Sequence, residues 1–259
     1  MSSPQGRFVW YELMTTDTAA AERFYREVVG WVAADAGMPD MSYTILSAGD
    51  APVAGLMAVP AEAAAAGAQP GWIGYVAVDD VDAMADRARA AGGAVHKAPE
   101  DIPGVGRFAI VADPHGAVFA LFHPTDGGEG PPSAPMGTPG HAGWRELMAG
   151  DLDSAFAFYA DLFGWTRAEA HDMDPMGVYQ LFATGGETVG GMMTKPAEVP
   201  APYWGYYFNV AGIEAAAERV KAAGGQVING PMEVPGGSWI LQGLDPQGAL
   251  FALVAPPKG

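Results

Sequence analysis

The sequence predicts an α+β fold in which one architecture occurs twice. The 259-residue chain contains an internal repeat, and each copy alternates strand-like and helix-like patterns in the same order. A segment rich in proline and glycine separates the copies, as is typical of a linker. These observations predict two domains, at residues 1–124 and 141–259, joined by a linker at 125–140. Each domain is expected to hold two units of strand, helix and three strands, so that the chain contains four βαβββ units.

The repeat is clearest at the start of each copy, where Phe8–Asp17 is matched by Ala142–Asp151 after a shift of 134 positions. Both segments contain the pattern Trp-x-Glu-Leu-Met followed by an aspartate. Later matches keep the same order along the chain: Phe24-Tyr25 with Phe158-Tyr159, Gly30-Trp31 with Gly164-Trp165, Tyr43 with Tyr179, Gly55 with Gly191, Trp72 with Trp204, and Asp113-Pro114 with Asp245-Pro246. The chain is therefore interpreted as a duplication.

The first unit follows from local patterns. Residues 8–15 are rich in β-forming side chains and predict a strand. Asp17 follows and can accept a hydrogen bond from a free N–H of the first helical turn. Apolar residues then recur at the spacing of one helix face, and Gly30 suits the left-handed position after a helix. Short apolar runs at 42–46 and 53–59 predict two further strands.

The second unit repeats this order. A strand is predicted at 72–78, followed by acidic capping residues at Asp79 and Asp80 and by an alanine-rich helix that ends at Gly92. Three more strands are predicted near residues 94–97, 107–112 and 117–122. Residues 61–67, between the two units, predict a short exposed helix or a loop.

Composition restricts the function. Thirteen Lys and Arg against 30 Asp and Glu give a net charge of −17, and such a field repels phosphate backbones and anionic lipid headgroups. The chain has no cysteine, which excludes disulfides and thiolate metal ligands. No apolar segment approaches the ~18 residues that a membrane span requires. We therefore expect neither nucleic-acid nor membrane partners, and a cytoplasmic location.

The order of motifs resembles the vicinal oxygen chelate superfamily, which comprises glyoxalases, bleomycin resistance proteins and extradiol dioxygenases. In each copy the first helix carries Phe-Tyr, Gly-Trp follows it, Ala-Gly-Gly closes the second helix, and Asp-Pro precedes the last strand. The tandem form is similar to a subgroup of proteins described as glyoxalases or hydroxylases, which includes a mycobacterial antigen. The resemblance implies two glyoxalase-like domains with curved mixed sheets around clefts and helices outside. It also implies an internal pseudo-dimer, and a homodimer is a further expectation.

Enzymes of this superfamily hold a divalent metal in the cleft with His, Gln and carboxylate side chains. The corresponding positions of this sequence are occupied by side chains that do not ligate metals: Trp10, Met57, Ile73 or Trp72, and Ala120 in the first copy, and Trp144, Met193, Gly205 or Trp204, and Ala252 in the second. We therefore expect no divalent metal and no other cofactor. His171, Asp172 and Asp174 could hold a surface ion, although a solvated acidic loop is the simpler interpretation.

Glu12 and Glu146 are the candidate catalytic residues. Alternate residues of a strand share a face, so Glu12 is expected beside Trp10 in the cleft. Partial burial would raise the pKa of such a carboxyl and make it a proton acceptor or an anchor for a cationic or hydroxylated ligand. The alternative is that each glutamate only fixes its strand, by binding backbone N–H groups or an arginine such as Arg107 or Arg145.

Aromatic and thioether side chains are expected to line both clefts and to suit planar ligands. These candidate ligand-binding residues are Trp10, Tyr43, Met57, Trp72 and Tyr75 in the first copy, and Trp144, Tyr179, Met193, Trp204 and Tyr206 in the second. The alternative is that they fill a cleft in at least one copy. The copies also differ in polar residues, because Arg107, His115 and His123 are replaced by Trp239, Gln247 and Ala255.

Three functions follow. The first is metal-independent binding, or sequestration, of a small aromatic or carbonyl-bearing molecule. The second is a glyoxalase or lyase type of enzyme with an atypical site, which acts on an α-carbonyl or natural-product substrate by glutamate-based proton transfer. The third is a non-catalytic interaction protein with vestigial clefts. The fold alone does not choose among them.

Overall fold

The computed structural model describes residues 4–38, 41–125 and 134–257, and residues 126–133 of the predicted linker lie outside this description. The helices are α1 (Thr18–Val28), α2 (Ala61–Ala65), α3 (Val81–Ala90), α4 (Leu152–Phe163) and α5 (Ile213–Ala222). The strands of the first half are β1 (Phe8–Thr15), β2 (Val32–Asp35), β3 (Thr44–Ala48), β4 (Ala51–Ala58), β5 (Gly71–Ala77), β6 (Ala94–Ile102), β7 (Gly106–Ala112) and β8 (Val118–Pro124). Those of the second half are β9 (Ala142–Ala149), β10 (Thr166–Asp172), β11 (Val178–Thr184), β12 (Glu187–Thr194), β13 (Tyr203–Asn209), β14 (Gln226–Glu233), β15 (Trp239–Leu244) and β16 (Leu250–Ala255).

The order of elements confirms the four βαβββ units and the α+β fold class. The first strand has the predicted bounds, the side chain of Asp17 accepts a 2.9 Å hydrogen bond from the Ala20 N–H, and Gly30 has a φ of 90°. The sequence analysis missed β2, because its four residues are mostly exposed and carry no apolar alternation. Strand β6 is longer than predicted for the same reason.

Two mixed sheets of eight strands follow the duplication. The first has the order β2-β3-β4-β1-β5-β8-β7-β6, and the second has the same order from its own strands, β10-β11-β12-β9-β13-β16-β15-β14. In each sheet the first and fourth strands of a βαβββ unit pair in parallel, as β1 does with β4 and β13 with β16. Each sheet therefore comes from one half of the sequence.

The compact units of the structure do not coincide with the two halves. One unit contains Met1–Val9, Gly74–Pro132 and Arg145–Trp204, and the other contains Trp10–Ile73, Ser133–Trp144 and Gly205–Gly259. Each unit thus combines one βαβββ unit of the first half with one of the second. The predicted domains describe the repeat in the sequence, whereas the packing exchanges segments between the repeats.

In the unit that contains α1 and α5, the core is built around Tyr25. Its hydroxyl accepts a 2.9 Å hydrogen bond from Nε1 of Trp72 and donates one of 3.2 Å to Oδ2 of Asp245. Burial, followed by the neighbouring carboxylate, raises the pKa of Tyr25 well above its usual value. The ring also lies against Phe251, with 6.0 Å between the ring centroids. The conserved order of motifs in the two copies therefore reflects packing.

The other unit repeats this arrangement. The hydroxyl of Tyr159, on α4, accepts a 2.9 Å hydrogen bond from Nε1 of Trp204 and donates one of 3.3 Å to Oδ2 of Asp113. Trp165, the tryptophan of the Gly-Trp motif that follows α4, stacks on Tyr159 with 5.2 Å between the ring centroids. None of the helices within the described residues is long and apolar enough to cross a membrane.

Candidate functional site

Strand β1 separates a buried core face from the face that carries Glu12. Tyr11 and Leu13 are buried, and the ring of Tyr11 lies 5.2 Å from that of Tyr206. Trp10 and Glu12 therefore project from the opposite face, as strand alternation predicts. Glu12 is nevertheless only 7% exposed, so its carboxylate requires hydrogen-bond donors from the protein.

Tyr43 supplies one of these donors and connects Glu12 to Trp10. Its hydroxyl donates a 2.9 Å hydrogen bond to Oε2 of Glu12 and accepts one of 3.0 Å from Nε1 of Trp10. Burial and the neighbouring Glu12 carboxylate raise the pKa of Tyr43 well above its usual value, so the phenol stays protonated. The three side chains form a chain of hydrogen bonds that ends on the carboxylate.

A glycine makes room for this contact. Strand β4 pairs in parallel with β1 and places Gly55 beside Glu12. A Cβ atom at Gly55 would overlap the phenol of Tyr43. Tyr43 can therefore lie across the strand and reach Glu12 only because this position lacks a side chain. Two residues further on, the half-buried Met57 pairs with Met14.

The second half repeats the arrangement. The hydroxyl of Tyr179 donates a 3.0 Å hydrogen bond to Oε1 of Glu146, which is 8% exposed. Gly191 pairs with Glu146 in the parallel register of β12 and β9, and a Cβ atom there would overlap the ring of Tyr179. Met193 is buried in the same register, opposite Met148. The glutamate, tyrosine and glycine are thus one structural motif that occurs twice.

Tyr203 belongs to the Glu146 cluster, although the sequence analysis did not select it. Burial, followed by the charge of the Glu146 carboxylate, raises the pKa of Tyr203 to about 12. Its hydroxyl therefore stays protonated at neutral pH and can donate a hydrogen bond. Counting alternate residues along β13 would have identified it, because Tyr203 and Tyr207 lie on the face opposite Trp204. Trp144 stands two residues before Glu146, as Trp10 stands before Glu12.

Three predicted ligand-binding residues lie on the core side instead. Nε1 of Trp72 and Nε1 of Trp204 donate to tyrosines of α1 and α4, and Tyr206 packs against Tyr11. Trp72 and Tyr75, three residues apart on β5, lie on opposite faces of that strand. Tyr75 lies on the other face of β5 from Trp72 and packs against Phe108 and Phe122, with centroids 6.5 and 6.2 Å away. In the second half the equivalent of Tyr75 is Tyr207, whose hydroxyl accepts a 2.7 Å hydrogen bond from Gln242.

The proposed role of arginines in fixing the glutamates is not supported for Arg107. Its guanidinium binds Asp82 and Asp101, at 2.6 and 2.9 Å. The guanidinium of Arg145 lies 6.0 Å from the ring centroid of Phe8. Each glutamate does accept a hydrogen bond from a tyrosine hydroxyl.

The donor set does not fit the divalent metal that the superfamily uses. The Glu12 cluster offers one carboxylate, a phenol that stays protonated and an indole, which has no lone pair for a metal. Nowhere in residues 4–38, 41–125 and 134–257 do three or more His, Asp or Glu side chains form a group that could hold an ion. This includes the acidic loop at residues 171–174.

Comparison with protein families agrees with this architecture. The family described as Glyoxalase/Bleomycin resistance protein/Dioxygenase superfamily matches the chain twice, at residues 7–121 and 139–253. The protein CFP32 of Mycobacterium tuberculosis (strain CDC 1551 / Oshkosh) is 33% identical over 254 residues, which cover 97% of this chain and 95% of that protein. The anthracycline biosynthesis protein DauV of Streptomyces sp. (strain C5) is 31% identical over 274 residues, covering 96% of this chain and 93% of that protein.

Solved structures show the same fold at low sequence identity. The Mn(II)-bound glyoxalase from Novosphingobium aromaticivorans gives a TM-score of 0.63 at 18% identity, covering 99% of this chain and 83% of that one. The 2,3-dioxygenase LapB from Pseudomonas sp. KL28 gives a TM-score of 0.67 at 15% identity, covering 99% of this chain and 94% of that one. The chain therefore belongs to the glyoxalase/bleomycin resistance protein/dioxygenase superfamily.

Proposed function

We propose that this protein binds a small aromatic or carbonyl-bearing molecule without a metal, at the clusters centred on Glu12 and Glu146. The observation that carries the proposal is the tyrosine–glutamate hydrogen bond, at 2.9 Å in the first half and 3.0 Å in the second. In each half a tryptophan, Trp10 or Trp144, stands where relatives are expected to place a metal ligand, and the glutamate follows two residues later on the same strand. Sequestration of the bound molecule is the simplest use of such a site.

The chemistry of the cluster supports this choice. The faces of Trp10 and Tyr43 favour planar ligands, because aromatic pairs gain energy in stacked and edge-to-face contacts. A carboxylate has about four acceptor positions, so Glu12 can accept from a ligand hydroxyl in addition to Tyr43. Among the relatives, DauV is named for the biosynthesis of anthracyclines, which are polycyclic aromatic molecules.

The second candidate function is proton transfer on an α-carbonyl or natural-product substrate. The Glu146 cluster favours it, because a carboxylate that can accept a proton lies near Tyr203, whose pKa of about 12 keeps it a donor. In such a reaction Glu146 would take a proton from the carbon beside the carbonyl, while a tyrosine hydroxyl would donate a hydrogen bond to the carbonyl oxygen. A glyoxalase-like lyase would use this chemistry.

A thermal-shift screen tests the binding proposal. The protein is treated with a chelator and screened against polycyclic aromatic natural products and thiol adducts of α-ketoaldehydes, with and without added Mn²⁺, Ni²⁺ or Zn²⁺. A specific ligand at 100 times its dissociation constant should add ~2.7 kcal/mol of stability. We expect this response without metal, and we expect Glu12→Gln or Glu146→Gln to reduce it, whereas Glu62→Gln on the exposed α2 should not.

The outcomes separate the candidate functions. Turnover of an adduct that is lost in Glu146→Gln would favour the enzyme. A ligand response that appears only with metal, or that neither glutamate variant changes, would contradict metal-independent binding at these clusters. The absence of any response across the screen would favour the non-catalytic interaction protein.

A further inference from the structure

A cavity of about 310 Å³ lies at the ends of β6, β7 and β8 and shares no residue with the Glu12 and Glu146 clusters. Its volume is at the lower end of the range typical of small-molecule sites. The residues that line it include Asp101, Ile102, Pro103, Arg107, His123 and Thr125. It therefore combines a short apolar wall with several polar side chains.

The duplication shows that the fold does not require these polar side chains. Arg107 and His123 are paired across β7 and β8, and the pair at the same register of β15 and β16 is Trp239 and Ala255. The same sheet is thus formed in the second half with neither charge nor imidazole at this pair. The polar residues of the first half need another explanation.

His123 presents a hydrogen-bond acceptor. Its Nδ1 lies 2.9 Å from the backbone carbonyl oxygen of Val78. A carbonyl oxygen can only accept, so Nδ1 carries the proton and Nε2 is the acceptor atom of the neutral ring. Within the described residues the structure shows no hydrogen bond to Nε2. The ring is half-buried and is held in this orientation by the same hydrogen bond.

Arg107 does not make the cavity a site for anions. Its guanidinium donates two hydrogen bonds to Asp82, at 2.6 and 2.9 Å, and one of 2.9 Å to Asp101. A fourth, of 3.3 Å, goes to the carbonyl of Pro99. Its charge is thus neutralised by Asp82 and Asp101, of which Asp101 lines the cavity, and the net charge of −17 adds a field that attracts cations.

We propose that this cavity binds a small protonated amine. The ammonium group donates hydrogen bonds to Nε2 of His123 and to the Asp101 carboxylate, and the alkyl part of the molecule contacts Ile102 and Pro103. Charge-assisted hydrogen bonds of this kind are the stronger class in proteins.

The test is an NMR titration of the full-length protein at pH 8 with three probes of one size: n-butylammonium, 1-butanol and butyrate. We expect a saturable shift of the His123 ring resonance with the ammonium, about tenfold weaker binding of the alcohol, and no binding of the carboxylate. Backbone amide signals near Thr125 report binding in variants that lack the imidazole.

Matched variants complete the test. His123→Ala introduces the residue that the second half carries at this position, so it should fold, and it should weaken ammonium binding about tenfold. His123→Gln, which can keep an acceptor oxygen, should restore part of the affinity, and His96→Ala on the exposed part of β6 should change nothing. Equal binding of the three probes, no saturable shift, or unchanged affinity in His123→Ala would overturn the proposal.

Discussion

The hydroxyl of Tyr25 donates a 3.2 Å hydrogen bond to the carboxylate of Asp245, a residue 220 positions later in the chain. An equivalent bond joins Tyr159, in the second half, to Asp113, in the first half. Each aspartate also accepts backbone N–H groups of its own turn, so the tyrosine is bound to a turn that is already ordered. These two bonds tie each unit together across the duplication.

Removal of this hydroxyl should destabilise the protein. Tyr25→Phe leaves the indole N–H of Trp72 without its acceptor in a partly buried site, and we expect a loss of about 1 to 3 kcal/mol in the free energy of unfolding. Urea unfolding followed by circular dichroism measures it. Trp72→Phe and the double variant complete a thermodynamic cycle, and strictly additive effects would show that the two groups are not coupled.

Asp245 should make stability depend on pH. Burial, the largest cause, raises the pKa of Asp245 above its usual value of 3.8. The stability that this shift contributes is fully present below the unfolded pKa and is lost as the pH rises through the folded pKa. Asp245→Asn keeps an acceptor but cannot ionise, so its stability relative to the natural protein should improve between pH 3 and pH 7. Urea midpoints across this range measure the difference, and a constant difference would contradict the shift.

Gly55→Ala should disrupt the first candidate site. The added methyl group overlaps the phenol of Tyr43, which must move away from Glu12. Overpacking of this kind costs about 1 to 3 kcal/mol, and the ligand response at the first site should be lost with it. The control is Gly71→Ala, because a Cβ atom there makes only an ordinary contact. If both variants show the same thermal shifts, the close approach of Tyr43 does not require a glycine at position 55.

Ala20→Ser should stabilise the protein. In one compact unit His115 binds the hydroxyl of Ser154 at 2.8 Å. In the other compact unit the position of His115 is occupied by Gln247, whose side-chain oxygen is buried and has no hydrogen-bond partner. Ala20 stands where the second half has Ser154, so a serine there would offer a hydroxyl. We expect a gain of about 0.5 to 1.5 kcal/mol, measured by urea unfolding. Ala19→Ser, on the same turn but exposed, is the control, and an equal gain there would contradict the explanation.

The sequence predicted the parts of the site that depend on the period of a strand. Trp10 and Glu12 were correctly placed on one face of β1, because Tyr11 and Leu13 are buried on the other. The same rule, applied to Trp72 and Tyr75, would have separated them. In β13 the aromatic residues occur on both faces and give no polar alternation, so the sequence alone did not separate Tyr206 from Tyr203 and Tyr207.

Contacts that depend on tertiary structure could not be predicted. The hydrogen bond from Tyr43 to Glu12 requires a segment outside the regular strands to cross β4 at Gly55. The exchange of segments between repeats also leaves no local signal. Both halves contain an Asp-Pro turn, and the residues around Tyr25 do not show whether it binds Asp113 of its own half or Asp245 of the other half. The duplication was visible, but the pairing of its four parts was not.

The division into units has a consequence for synthesis on the ribosome. The unit formed by Met1–Val9, Gly74–Pro132 and Arg145–Trp204 has all of its residues as soon as Trp204 is made. The unit that holds Trp10–Ile73 must wait for the segment that begins at Gly205. Tyr25 on α1, although made early, therefore lacks its partners Phe251 and Asp245 until that segment is translated, and a nascent chain halted after Trp204 would leave this part of α1 accessible to chaperones.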